Sequence, residues 1–135
     1  MFRQLIHVHR YHWDVVVFYE SGGEDAPYIL RTLEEAGAGS ADIARAARNL
    51  QSGMPDTGLT YSNEWGRVSV VVLSHASSRA EFANTWFHEV FHCAKHIARF
   101  NGLDCDGEPV AYVGGELASE MQPVAARLMC PTCKH

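Results

Sequence analysis

The chain is poor in the features that mark several whole classes of protein. It has no cluster of basic residues. Arg and Lys are scattered, acidic residues outnumber them 16 to 11, the net charge is -5 and the pI is near 5.9. Broad nucleic-acid binding needs a basic face that attracts phosphates, so nucleic acid is not an expected partner. No apolar run approaches the length of a bilayer span, so a membrane is not expected either. The opening stretch, MFRQLIHVHRYHW, mixes charge and histidine where a secretory leader would be continuously apolar. The expectation is therefore a cytoplasmic protein. Cysteines are few, Cys93, Cys105, Cys130 and Cys133, and without an export signal they are expected as thiols. Repeats, low-complexity tracts and linkers are absent. Residues 1–135 should thus form one domain, long enough to bury a core without staples.

What is present is an ordinary globular balance, 47% apolar and 20% charged residues. Val15 to Tyr19 reads as a strand, with Leu5 to Tyr11 as a partner or ragged edge. PYILRTLEEAG and SADIARAARNLQSG read as two helices, with Gly37 as a C-cap and Ser40 as an N-cap. GLTYSNEWGRVSVVVLS reads as a hairpin with arms near Thr60 to Ser62 and Arg67 to Leu73. Ser78 with Glu81 three residues on signals the start of a long helix, which Asn101-Gly102 should end. Apolar residues lie nearly all round its middle, so it should be buried on most sides. A last helix should run from about Asp106 to Met129, with Pro109 in its first turn and a kink or break at Pro123. The expected class is α+β, a small antiparallel sheet packed on helices.

Within the long helix stands HEVFH, residues 88 to 92. Residues four apart share a helix face, so His88 and His92 can turn both imidazoles toward one zinc ion. Glu89 then falls beside the metal, placed to act as general base on a water. The rival reading is a histidine-rich core helix without metal. Burying two histidines and a glutamate without partners is costly, and a zinc ion removes that cost. A catalytic zinc needs a third protein ligand. The extended three-histidine pattern is absent, because Lys95 and Ala98 occupy its glycine and histidine positions. His96 lies too far along the axis from His88 to share a tetrahedral ion. Glu108, opening the next helix after a reversing turn, is favoured, and Glu116 and Asp106 follow it. Asp104 and Glu120 are more distant alternatives.

TWFHEVFHCA followed by GEPVAYVGGEL resembles small zinc metallopeptidases of phage and prophage, in which an HExxH helix precedes an E-x-x-A-Y-x-x-G helix. Here the second element reads Glu108, Ala111, Tyr112, Gly114, and the likeness covers residues 57 to 118. The resemblance implies a minimal zincin-like fold, one catalytic zinc on His88, His92 and Glu108, and a peptide or protein substrate. It does not imply which substrate.

Tyr112, one turn after Glu108, could donate to the oxyanion of a tetrahedral intermediate, although an amphipathic packing role competes. Tyr61 and His75 are alternatives to it. The strand Arg67 to Leu73 could align a peptide by edge pairing. CPTC, at 130 to 133, has metal or redox spacing that Cys93, Cys105 or His135 would have to complete. His7, His9 and His12 read as exposed strand residues. The expected function is a zinc-dependent metallopeptidase. The alternative is a non-enzymatic phage or regulatory module in which zinc only braces two helices.

Overall fold

The computed structural model describes residues 1–129. Strand β1 (Phe2–Val8) pairs antiparallel with β2 (Trp13–Ser21), Phe2 opposite Tyr19 and Val8 opposite Trp13. His12 closes the turn between them in the left-handed region, at φ 49°. Helices α1 (Ala26–Glu35) and α2 (Ser40–Gln51) follow. Strands β3 (Gly58–Asn63) and β4 (Val68–Ser74) then form the expected hairpin. Two long helices complete the described chain, α3 (Arg79–Phe100) and α4 (Glu108–Met129).

The class is α+β, but the sheet is mixed rather than antiparallel. Its order is β1-β2-β4-β3, and β2 runs parallel to β4, with Val16 opposite Val70. The reason is the α1–α2 crossover, which carries the chain back along one face before the β3–β4 hairpin enters. One expectation changes as a result. β4 is held on both sides, so the Arg67 to Leu73 segment has no free edge, and among the described residues the open edge beside it belongs to β3.

Both faces of the sheet are covered, which explains the near-continuous apolar run in β2. Trp13, Val15, Val17 and Tyr19 pack with Val71 and Leu73 against α3 and α4. Val16, Phe18, Val70 and Val72 pack on the other face against Ile29 and Leu33 of α1 and Ala46 of α2. Full burial of a residue such as Ile29, Leu33 or Ile97 contributes about 1.5–3 kcal/mol each.

Helix ends follow local chemistry with two exceptions. Ser78 Oγ accepts from the Glu81 N–H at 3.1 Å, as expected. Gly102 (φ +70°) ends α3, and the Leu103 N–H reaches back to the Ala98 carbonyl at 2.9 Å. The N-cap of α2, however, is Gly39; Ser40 is already helical and caps nothing. Nor does Pro123 split α4, which continues through it to Met129. Pro123 and Ser119 both lie on the exposed face, so the carbonyl left without its partner meets water. Among the described residues no helix is long and apolar enough to cross a membrane.

Helix α3 is less enclosed than its composition suggests. Phe82, Val90, Cys93, Ala94, Ile97 and Ala98 are buried, but Phe87 is 72% and Phe91 46% exposed, and His88 and His92 are exposed as well. The helix is wedged between α4 and the β3 side of the sheet, and its outer flank is open to solvent.

Candidate metal centre

Helical spacing brings His88 and His92 together. Their Nε2 atoms are 3.0 Å apart and their ring centroids 4.6 Å. Two tetrahedral zinc ligands at 2.0–2.1 Å would be separated by about 3.3 Å, so the two nitrogens already converge on one point. The ligand-capable atoms of His88, Glu89 and His92 all lie within 4.8 Å of one another. This group could hold a metal ion. Two imidazoles and a carboxylate suit zinc and other first-row divalent ions.

Glu89 differs from its neighbours: it is only 5% exposed. It points from α3 toward the edge strand, where the Thr60 hydroxyl donates to Oε1 at 2.8 Å. Gly58, two residues earlier in β3, makes the space. A Cβ there would lie 2.7 Å from both Cγ and Oε2 of Glu89, which no real Cβ tolerates. The edge strand is thus cut back where the glutamate sits. A glycine inside a strand is the sequence signal of such a close approach, but nothing in the sequence says what approaches.

A cleft of about 400 Å³ opens over this group. Gly58, Leu59 and Thr60 of β3 line it, with His88, Glu89, His92 and His96 of α3 along one wall and Arg45 and Asn49 of α2 along the other. The α2 residues had no distinguishing sequence signal. A second pocket, lined by Asp56, Asn84 and Thr85, shares Gly58, His88 and Glu89 with it. His96 stands one turn beyond His92, its Nδ1 2.8 Å from Ser62 Oγ. Burial lowers its pKa below the ordinary histidine value, and the nearby Arg99 and His92 lower it further.

Helix α4 contributes nothing to this cleft. Glu108 is exposed at its first residue and does not belong to the metal-capable group. Tyr112 is 68% exposed and also lies outside the cleft. The physical reason is the side of α3 on which α4 packs. Gly114 faces Ala94, and an apolar groove lined by Phe87, Phe91, Ala111 and Ala118 runs between the two helices. His88 and His92 look the other way, toward β3. The remaining acids fare no better: Asp106 is 3.6 Å from Lys95 Nζ, Asp104 accepts the Asp106 N–H, and Glu116 and Glu120 are exposed.

The other residues singled out lie apart from the cluster. Tyr61 packs at the margin of the α1–α2 core, and His75 lines a separate pocket with Ser21 and Gly22. His7 Nδ1 is 2.6 Å from Asp14 Oδ1 and its ring meets His9 edge-on, an exposed pairing away from α3. Cys93 is buried, and that burial pushes its thiol up to about 12. Cys130, Cys133 and His135 lie outside the described residues.

Comparison of the chain with protein-family models, with curated proteins and with solved structures found no match.

Proposed function

We propose that this protein is a zinc-dependent peptidase that works in the cleft between α2, β3 and α3. One observation carries the reading: two convergent imidazole nitrogens stand beside a buried carboxylate that is held from behind, at the open edge of a sheet. A zinc ion bound by His88 and His92 would act as a Lewis acid and make a water acidic near neutral pH. Glu89 accepts the proton at Oε2, the oxygen Thr60 leaves free, and returns it to the leaving amine. The β3 edge offers backbone groups to an extended peptide, which would then run past Glu89. Arg45 and Asn49 face that peptide from the opposite wall.

A second reading has its own support. Glu89 belongs to the metal-capable group and no acid of α4 does, so His88, Glu89 and His92 could instead hold zinc as a structural brace within α3. Replacing Glu89 with Gln separates the two. A peptidase keeps zinc affinity within a few-fold and loses cleavage of a peptide library. A brace loses zinc affinity by more than about 10-fold and has no cleavage to lose. Wild-type protein that binds no zinc refutes both.

A further inference from the structure

A chain of hydrogen bonds crosses the sheet and ends at His96. Trp13 Nε1 lies 2.9 Å from Ser69 Oγ, Ser69 Oγ lies 2.7 Å from Ser62 Oγ, and Ser62 Oγ lies 2.8 Å from His96 Nδ1. These residues come from four elements, β2, the two strands of the β3–β4 hairpin and α3. Trp13 and Ser69 are wholly buried, so no water takes part at that end.

The chain has a direction. An indole N–H can only donate, so Ser69 Oγ accepts from Trp13. The Ser69 hydrogen must then go elsewhere, and the Ser62 oxygen at 2.7 Å is the strong acceptor within reach. The thiol of buried Cys93, also beside Ser69, is a weak one. Ser62, having accepted from Ser69, keeps its own hydrogen for His96 Nδ1, 2.8 Å away. With that hydrogen donated, the Nδ1 lone pair is occupied and the ring hydrogen sits on Nε2. The ring lines the cleft that holds His88, Glu89 and His92. Its centroid is 6.4 Å from that of His92, so the two rings lie along one stretch of the cleft wall.

We propose that His96 is the oxyanion donor of the cleft: its Nε2–H, set by the Trp13–Ser69–Ser62 chain, stabilises the negative oxygen that develops when water adds to the substrate carbonyl. This rests on the peptidase reading above. It gives the role to a residue on α3 in place of Tyr112, which stands outside the cleft. His96 would touch substrate; Ser62 and Ser69 are positioning residues. A preorganised donor of this kind contributes roughly 10²–10³ in kcat.

Two measurements on zinc-loaded protein test this. Long-range ¹H–¹⁵N correlation spectra, assigned by the signals missing in His96→Gln, should show Nδ1 unprotonated and Nε2 protonated. Ser62→Ala should remove that bias. A protonated Nδ1 reverses the chain and overturns the proposal. In parallel, cleavage of a peptide library is compared across variants. His96→Phe should lower kcat by about 10²–10³-fold with zinc content and KM near wild type, and His96→Gln, which keeps an N–H, should recover part of it. Full kcat in His96→Phe overturns the donor role while the peptidase reading stands. If wild type cleaves nothing, the peptidase reading fails and the donor role with it, whereas the tautomer is still read directly.

Discussion

Gly58→Ala is the sharpest test of how the cleft is built. The new Cβ would lie 2.7 Å from Cγ and Oε2 of Glu89 and 3.0 Å from Cδ. Carbon contacts are favourable near 3.5–4.0 Å, so the approaches to Cγ and Cδ are short by about 0.8 and 0.5 Å or more. Cγ is not the free end of the side chain, so Glu89 cannot simply swing its carboxylate aside and must leave its bond to Thr60. Overpacking of this kind costs about 1–3 kcal/mol. Gly58 is not at positive φ, so the backbone itself accepts alanine. With the clash removed, as in a Glu89→Ala background, the same substitution should be neutral or stabilise by about 0.4–1 kcal/mol through the unfolded chain. The destabilisation is therefore confined to the background that keeps Glu89. Thermal unfolding followed by circular dichroism measures it: Gly58→Ala should lower Tm by roughly 3–10 °C in the parent and not at all in the Glu89→Ala background. An equal loss in both backgrounds would refute the close approach of Gly58 and Glu89.

Other outcomes bear on separate links. Glu108→Ala should leave zinc affinity unchanged, because Glu108 is exposed and outside the cluster; a fall of 10-fold or more in a zinc titration would show that α4 moves to supply a ligand. Saturating zinc at about 100 times its Kd should stabilise the protein by about 2.7 kcal/mol, an increment that His88→Ala abolishes and a chelator reverses in a melting assay. Arg67 donates to the Tyr11 carbonyl and to Asn101 Oδ1 and stacks over Trp13, tying the β1–β2 turn to the end of α3. Its replacement by Ala should therefore cost about 1–3 kcal/mol in denaturant unfolding, and a change under 0.3 kcal/mol would count against that role. The raised Cys93 thiol should stay protonated and unreactive to a disulfide reagent at pH 8 in folded protein. Its contribution to stability is intact below about pH 9, the ordinary value, and is lost as pH rises toward 12, so Cys93→Ala should flatten that alkaline decline.

The HEVFH arrangement was legible from the sequence because it is local. Helical spacing alone sets His88 and His92 on one face and Glu89 beside them, whatever packs around them. The Ser78 cap, the Gly102 terminus, the β3–β4 hairpin and the apolar run of β2 were legible for the same reason: each depends on residues within a few positions of one another. The α+β class followed from their order. The antiparallel sheet, the free edge on β4, Glu108 beside the histidines and Tyr112 over the cleft all depended on which element lies against which. That choice is made by packing between residues far apart in the chain. The α1–α2 crossover puts β4 beside β2, and the contact of Ala94 with Gly114 seats α4 on the flank of α3 away from the cleft. Gly58, Thr60, Ser62 and His96 acquire their places only there, because a hydrogen bond or an absent Cβ has meaning only once its partner has arrived from another element.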